Sequence, residues 1–231
     1  FFGTQLADSP ARLRSASPSV SDSGHPAVAL LFPDQYPAAA ATLGRAFVAD
    51  PLIRAVVAPA NDEDAVRRMT AFFGVVLRDH RGNGQPVIGV LRDGEVAAAA
   101  IIEQIARPPA AIAVLLHDLP LLPGLVRAAG FSGVMRSIAL LDTLTRNRPT
   151  EPHLYLNVLG VEPAYQGQHY GGALLDYLRD QVALRRELAG VYLETAKEAN
   201  VTYYGNRGYR VLNEIYPLGV RMWRMMQARK D

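Results

Sequence analysis

Residues 153–172 join an apolar strand to a glycine-bearing loop and then directly to a helix that extends to about residue 187. The helical part, ALLDYLRDQVALRREL, repeats apolar residues at helical spacing. A helix N-terminus offers unpaired backbone N–H groups and the positive end of the helix dipole, so it binds phosphate oxygens without any basic side chain. The segment therefore predicts an anion site within an α/β fold.

Composition narrows the classes of partner. Lys and Arg outnumber Asp and Glu by only 24 to 22, and no basic block occurs, so nucleic-acid binding is not expected. The chain has no cysteine, which excludes a disulfide framework, a thiolate metal site and a cysteine nucleophile. Charged residues or proline interrupt each apolar run before the roughly 18 to 20 residues that a membrane span needs. We expect a cytoplasmic protein that uses no metal.

The domain organisation follows from where regular patterns begin. Residues 1–26 are rich in Ser, Pro, Ala and Arg without hydrophobic periodicity, so we interpret them as a flexible leader. Residues 27–231 have a length that fits a single domain. Within it, residues 108–150 carry Leu and Ala at helical spacing with proline and glycine breaks, which predicts an insertion of two or three short helices.

The order of elements is mixed. A short strand near residue 28 precedes two consecutive helices separated at Pro51, and a third, amphipathic helix covers residues 62–80. The pair Asp93-Gly94 between two apolar runs predicts a β-hairpin. After the insertion, the pattern predicts β-α-β-α-β-β from residue 152 to residue 226.

Dinucleotide binding is one chemistry that a strand, loop and helix can support. Glu194 ends the next strand at about the distance where such folds place an acid for the ribose. However, Gly167, Gly171 and Gly172 follow a G-x-x-x-G-G spacing instead of G-x-G-x-x-G. The segment also lies late in the chain, after a hairpin, whereas a doubly wound fold alternates β and α units from its start. An oxidoreductase is therefore the remote alternative.

The second chemistry is coenzyme A binding. The segment VEPAYQGQHYGGALL resembles the acetyl-CoA loop of the GNAT acyltransferase superfamily, whose pattern is Q/R-x-x-G-x-G/A. Gln166 and Gly171 fill the first and last positions, while His169 stands where the middle glycine is usual. A positive φ at His169 would cost about 1 kcal/mol of conformational energy. Alternatively, a protonated imidazole at this position could contact a phosphate of the cofactor. The resemblance implies that acetyl-CoA contacts Leu159, Gly160, Val161, Gln166, Gly167, Gln168, His169, Tyr170, Gly171, Gly172 and Asn200.

The resemblance continues in NVTYYGNRGYRV, which is similar to the family segment N-V-x-x-Y-x-x-x-G-F. Tyr204 takes the place of the tyrosine that faces the cofactor sulfur, and Asn200 is either a pantetheine contact or the N-cap of the following helix, or both. Together with RPTEPHLYLNVLGVEPAYQG, the segment is most similar to the puromycin N-acetyltransferase branch. The family implies a mixed sheet of about seven strands, flanking helices and a gap between splayed strands four and five.

Acetyl transfer to an amine explains why these residue types are needed. The ammonium must lose a proton before it attacks the thioester, and the departing thiolate needs a proton donor. By resemblance, Tyr204 is the general acid and backbone N–H groups at residues 159–161 stabilise the oxyanion. Glu194 could be the base, could orient a base water, or could only accept local hydrogen bonds. Tyr155, Asn157 and Leu159 share one strand face by the two-residue period, which places Tyr155 and Asn157 toward the acceptor.

The expected function is direct transfer of acetyl from acetyl-CoA to a primary amine of a small molecule in a ternary complex. A GNAT-like module that binds acyl-CoA with little turnover and a protein acetyltransferase are the alternatives. The leucine-rich insertion suits either a bulky amine or a dimer partner, so the protein is expected to be a monomer or a homodimer.

Overall fold

A mixed β-sheet lies at the centre of the fold. The computed structural model describes residues 26–82, 85–106, 121–146 and 148–230. The seven strands pair in the order β1-β2-β3-β4-β5-β7-β6. Their bounds are β1 Val28–Leu30, β2 Val87–Arg92, β3 Glu95–Ile105, β4 His153–Val161, β5 Gly190–Thr195, β6 Arg210–Ile215 and β7 Met222–Ala228.

Helices cover both faces of this sheet. Those of the described residues are α1 Tyr36–Ala46, α2 Pro51–Val57, α3 Asp62–Gly82, α4 Leu122–Thr145, α5 Tyr170–Ala183 and α6 Glu198–Gly205. One apolar cluster includes Leu154, Leu174 and Leu178 and lies between the sheet and α5. A second includes Leu43, Phe73 and Ile101 and lies between the opposite face and α1 and α3. The sheet is therefore buried on both sides.

The direction of the strands decides between the two fold alternatives. β1 to β4 pair antiparallel, and among the strands of the described residues only β4 and β5 pair in parallel. The predicted hairpin is confirmed: Asp93 and Gly94 both have positive φ, 53° and 84°, as a two-residue type I′ turn requires. An antiparallel first half excludes the doubly wound sheet of a dinucleotide fold, and the predicted mixed sheet of seven strands is confirmed.

β4 and β5 separate after a short parallel contact. They pair only at Leu154, Tyr155 and Leu156 of β4, which oppose residues 191–193 of β5. Beyond that point β4 continues to Val161 while paired to β3 alone. The predicted splay is confirmed, and within the described part of the chain it leaves one edge of β4 without a strand partner over residues 157–161.

A β-bulge in β4 corrects the predicted arrangement of its side chains. Ile101 of β3 pairs with Val158 and the next residue, Ile102, pairs with Leu156, so Asn157 is the extra residue. The bulge shifts the two-residue alternation by one position. Leu159 consequently packs in the same cluster as Leu156, while Tyr155 belongs to a cluster on the other face. The prediction that Tyr155 and Leu159 share a face was wrong for this reason.

The insertion between β3 and β4 contains one interrupted helix in its described part. α4 is broken at Gly130, whose φ of 73° and ψ of 171° are not helical. This agrees with the predicted glycine break, while the start of the predicted insertion and the predicted leader lie outside the described residues. Across the described ranges, none of the helices combines the length and apolarity needed to span a membrane.

Candidate active site

A cleft of about 450 Å³ opens where β4 separates from β5. Its walls come from β4, the loop before α5, the first turn of α5, α6, and the segment from the end of α1 to Asp50. Most of the residues predicted to contact acetyl-CoA line it, namely Leu159, Gly160, Val161, Gln166, Gly167, His169, Tyr170, Gly171 and Asn200. The fold thus brings together residues that are up to 41 positions apart, from 159 to 200.

Two of the predicted contact residues support the loop from behind. Gln168 accepts a hydrogen bond from Nη1 of Arg92 at 2.7 Å, and its own amide donates to the Ala164 carbonyl at 3.4 Å. Gly172 lies against Arg207, because a Cβ at this position would be 3.0 Å from the guanidinium. Neither Gln168 nor Gly172 is among the residues that line the cleft.

The N-terminus of α5 points into the cleft without a side-chain cap. His169 is the N-cap residue, and its side chain makes no capping hydrogen bond. Gly171 allows a close approach, since a Cβ there would lie 3.2 Å from the Tyr203 hydroxyl and 3.4 Å from Val161. The first amides of the helix are therefore left to bind an anion at the positive end of the dipole.

His169 adopts the left-handed conformation that the missing glycine suggested, with φ 65° and ψ 4°. An L-residue in this region costs about 1–2 kcal/mol relative to its ordinary conformations. Gly167, two positions earlier, also has a positive φ of 78°. The loop therefore stores local strain at His169 that a glycine would not have.

Replacing His169 with glycine should raise the free energy of unfolding by about 0.5–1 kcal/mol, because the strain relieved exceeds the added flexibility of the unfolded chain. The change is measured by urea denaturation. His169→Ala is the matched control, because it removes the imidazole but keeps Cβ and the strain, so no gain is expected. Acetyl-CoA should bind His169→Gly as tightly as the parent. A tenfold loss of affinity in both variants would instead show that the imidazole contacts phosphate.

Two cations in the cleft were not predicted from the sequence. Lys197 and Arg207 both line it, on either side of the Tyr203-Tyr204 pair. The Arg207 guanidinium lies 3.9 Å from the centre of the Tyr203 ring and donates to the Tyr203 carbonyl at 3.3 Å. Arg207 adds positive charge beside the first turn of α5, where it lies against Gly172, and Lys197 adds it near Asp50. Lys197 precedes the segment NVTYYGNRGYRV and Arg207 lies within it, but the packing of α6 decides where their side chains lie.

A second cavity of about 120 Å³ adjoins the first. It contains the predicted acceptor contacts Tyr155 and Asn157, together with Glu194. The walls of the two cavities share Phe47, Asp50, Leu159, Asn200 and Tyr204. The cavities are therefore two ends of one passage through the gap between β4 and β5.

Tyr204 lies at the junction of the two cavities. The residue is 8% exposed and packs between Tyr203 and Tyr209, with ring centroids 5.5 Å away in each case. Burial raises the pKa of the Tyr204 phenol, and the charges of its neighbours change this less. A raised pKa keeps the phenol protonated at neutral pH, so Tyr204 can act only as a proton donor there.

Glu194 lies in a buried cluster beneath the second cavity. Its side chain is 3% exposed. Tyr155 donates its hydroxyl to one carboxylate oxygen at 2.7 Å, and Tyr192 donates to the other at 2.8 Å. The pKa of both phenols is raised, mainly by burial and secondly by the negative charge of Glu194. Both hydroxyls therefore remain hydrogen-bond donors.

Two arginines complete this cluster. Nε of Arg148 and Nε of Arg224 lie 3.9 Å and 3.8 Å from the Glu194 carboxylate, and both side chains are buried. Arg224 also donates to the carbonyls of Thr143 and Leu144, which ties the end of α4 to the sheet. Both oxygens of Glu194 are thus engaged, which favours a role in orienting Tyr155 over a role as a mobile base. The two arginines were not predicted, because both lie far from Glu194 in the sequence.

The remaining polar contacts hold the acceptor end in place. The Asn157 amide donates to Glu103 at 2.7 Å, so the bulge residue is anchored to β3. Asn200 donates to the Thr195 hydroxyl at 3.1 Å. Because α6 begins at Glu198, with Lys197 as its N-cap, Asn200 lies inside the first turn, and the N-cap alternative was wrong.

Comparison with known proteins agrees with this geometry. Residues 53–209 match the model of the acetyltransferase (GNAT) family, which is more than half of the 231-residue chain. The chain belongs to the GNAT family. It is accordingly an acyltransferase, and the splayed strands and the α5 N-terminus are the GNAT fold as this sequence builds it.

Solved structures with this fold resemble the chain over nearly its whole length. A histone acetyltransferase HPA2 and related acetyltransferase from Corynebacterium glutamicum has a TM-score of 0.65 and 20% identity, with coverage of 90% of this chain and 98% of that one. A mosquito arylalkylamine N-acetyltransferase like 5b has a TM-score of 0.54 and 13% identity, with coverage of 87% of this chain and 99% of that one. The ribosomal-protein-S18-alanine N-acetyltransferase from Escherichia coli has a TM-score of 0.52 and 17% identity, with coverage of 89% of this chain and 94% of that one. Such low identities show the shared fold alone.

Proposed function

We propose that this GNAT enzyme transfers acetyl from acetyl-CoA directly to a primary amine of a small molecule, in a ternary complex and without a metal. The observation that carries the proposal is the position of Tyr204 where the two cavities meet. The larger cavity has the size and the anion-binding end that a CoA thioester needs. The smaller one approaches the same hydroxyl from the other side, as an attacking amine would.

The larger cavity fits acetyl-CoA in three ways. The uncapped start of α5 and the Arg207 guanidinium beside it suit the pyrophosphate. The unpaired edge of β4 offers backbone groups to the pantetheine arm, as a strand would. Backbone N–H groups at residues 159–161 are the proposed oxyanion donors, because all three residues line the larger cavity and Leu159 also lines the smaller one.

The proposed chemistry has no covalent intermediate. The chain contains no cysteine for an acyl-thioester intermediate. The buried Tyr204 phenol protonates the departing thiolate, since its raised pKa keeps the proton available. Tyr155 and Asn157 face the acceptor, and Glu194 holds the Tyr155 hydroxyl in place.

The acceptor end supports a small molecule over a protein. Its cavity is only about 120 Å³ and is lined by Leu52 of α2, Leu144 of α4 and Met222 of β7. Leu144 is held at this cavity because Arg224 donates to its carbonyl and ties the end of α4 to the sheet. The similarity to the puromycin N-acetyltransferase branch is the reason to place aminonucleosides among the candidate amines.

Thermal unfolding with acetyl-CoA or NAD, followed by CoA release with a panel of amines, tests the proposal. Acetyl-CoA at 100 times its dissociation constant should add about 2.7 kcal/mol of stability, since it binds only the native state, and NAD should add none. Free thiol should then appear with at least one small primary amine, aminonucleosides included. Stabilisation without thiol release would favour the binding module. Release with peptide amines alone would favour a protein acetyltransferase.

A further inference from the structure

We propose that Asp50 is the base that accepts the proton of the acceptor ammonium. The inference rests on the proposed amine acetylation and deepens it by naming the group that activates the amine. Asp50 lies between α1 and α2, more than one hundred residues before the CoA loop, and it was not among the site residues predicted from the sequence.

Asp50 is placed where an attacking amine must pass. It lines both cavities, as Tyr204 does, so the residue lies where the two cavities join. The residue is only 8% exposed, although it bears a carboxylate. Among the described residues that line either cavity, Glu194 is the other acid, and tyrosine hydroxyls occupy both of its oxygens.

The local sequence holds this carboxylate in one orientation. Asp50 is the N-cap of α2, and its Oδ1 accepts the amides of Leu52 and Ile53 at 3.0 Å each. Pro51 occupies the first helical position and keeps the preceding residue extended, with φ −79° and ψ 121°. Both capping bonds use Oδ1, which leaves Oδ2 for a proton. The base is therefore positioned before the substrate binds.

The charged groups around Asp50 suit a proton acceptor. Burial raises the pKa of the Asp50 carboxyl, against the opposing effects of its two amide hydrogen bonds and of Lys197. A carboxylate whose pKa is raised by burial is a stronger base than an exposed aspartate. The titratable groups that face it are Lys197 and Tyr204, with Glu194 on the far wall of the smaller cavity.

The protons balance across the transfer. Oδ2 of Asp50 takes one proton from the ammonium, and the freed lone pair forms the N–C bond as the carbonyl oxygen becomes an oxyanion. The C–S bond then breaks, and the sulfur takes the phenolic proton of Tyr204. The second proton on nitrogen passes to the resulting phenolate, directly or through water. The proton on Asp50 leaves to solvent and is the single net proton released.

Asp50→Asn and Asp50→Ser test the assignment, because both residues still cap a helix but cannot act as a carboxylate base. With the amine that the parent acetylates best, kcat/KM should fall about 100-fold in both variants. Acetyl-CoA affinity, measured by thermal shift, should not change. In the parent, kcat/KM should rise with pH and then level off once Asp50 is ionised. In the variants, it should keep rising until the amine itself is deprotonated.

An acceptor that is already neutral at pH 7 separates a chemical role from a structural one. It needs no base, so the defect of Asp50→Asn should shrink to a few-fold with such an amine. An equal defect for both amines would overturn the assignment. Asp64→Asn is the matched control. Its carboxylate accepts a hydrogen bond from the Ala60 backbone N–H, just before α3, but Asp64 lies outside both cavities. A parent that releases thiol with no amine would instead contradict the proposed function itself.

Discussion

Tyr204→Phe should lower kcat about 100- to 1,000-fold, with little change in the affinity for acetyl-CoA. The phenol is the proposed donor to the departing thiolate, and loss of a positioned acid typically costs a factor in this range. The ring itself fills the junction between the two cavities, and phenylalanine preserves that packing. Steady-state CoA release measures kcat, and thermal shift with acetyl-CoA measures binding.

Tyr209→Phe is the control for Tyr204→Phe. Its ring packs on Tyr204 with centroids 5.5 Å apart, the residue is 3% exposed, and it lines neither cavity. The variant should keep kcat within about threefold, since removing a buried hydroxyl away from the reacting atoms changes no proton transfer. A Tyr204→Phe enzyme as active as Tyr209→Phe would remove Tyr204 from the mechanism.

The pH dependence of kcat should follow from the direction of the Tyr204 pKa shift. Burial raises that pKa above the ordinary value of a phenol, so the acid form persists through the pH range in which an exposed tyrosine ionises. Activity should therefore not decline between pH 8 and pH 10 through loss of this proton. A fall in kcat that tracks an ordinary phenol would contradict the burial of the group.

Glu194→Ala should lower the free energy of unfolding by about 3–5 kcal/mol, because removing one partner leaves buried charges uncompensated. The charges concerned are those of Arg148 and Arg224, and the hydroxyls of Tyr155 and Tyr192 would lose their acceptor as well. Urea denaturation followed by tryptophan fluorescence measures the change, since the single tryptophan, Trp223, is next to Arg224 in β7.

Two comparisons make this result specific. Glu194→Gln keeps the shape and an acceptor oxygen, so its loss of stability should be smaller than that of the alanine variant. Glu162→Ala breaks a bidentate pair with the half-exposed Arg45 and should cost less than about 1 kcal/mol. A stable Glu194→Gln enzyme that lacks activity and the acidic limb of the pH profile would make Glu194 the base instead of Asp50.

Local patterns were enough to predict most of the elements. The Asp93-Gly94 turn, the α5 helix and the Tyr204 segment each depend on residues within about a dozen positions of one another. Backbone conformation, capping and periodicity act over that range, so a single sequence carries them. Even the positive φ of His169 followed from its place in a glycine pattern.

The site as a whole depends on contacts that no local pattern contains. The bulge at Asn157 arises from the register between β3 and β4, and it moves Leu159 to the opposite face from Tyr155. Pro51 was predicted to separate two helices, but only the packing of α2 against α3 and α4 brings Asp50 into the walls of both cavities with Tyr204.

The sequence by itself determined that a strand, an anion-binding loop and a helix occur in succession, and that a tyrosine follows at the spacing of the acetyltransferases. The tertiary structure decided which charges meet: Arg148 and Arg224 on Glu194, and Asp50 on the passage between the cavities. The physical reason is the distance along the chain over which each kind of interaction acts. Helix and turn preferences are set by neighbours along the chain, whereas burial and charge pairing are set by strand register and helix packing.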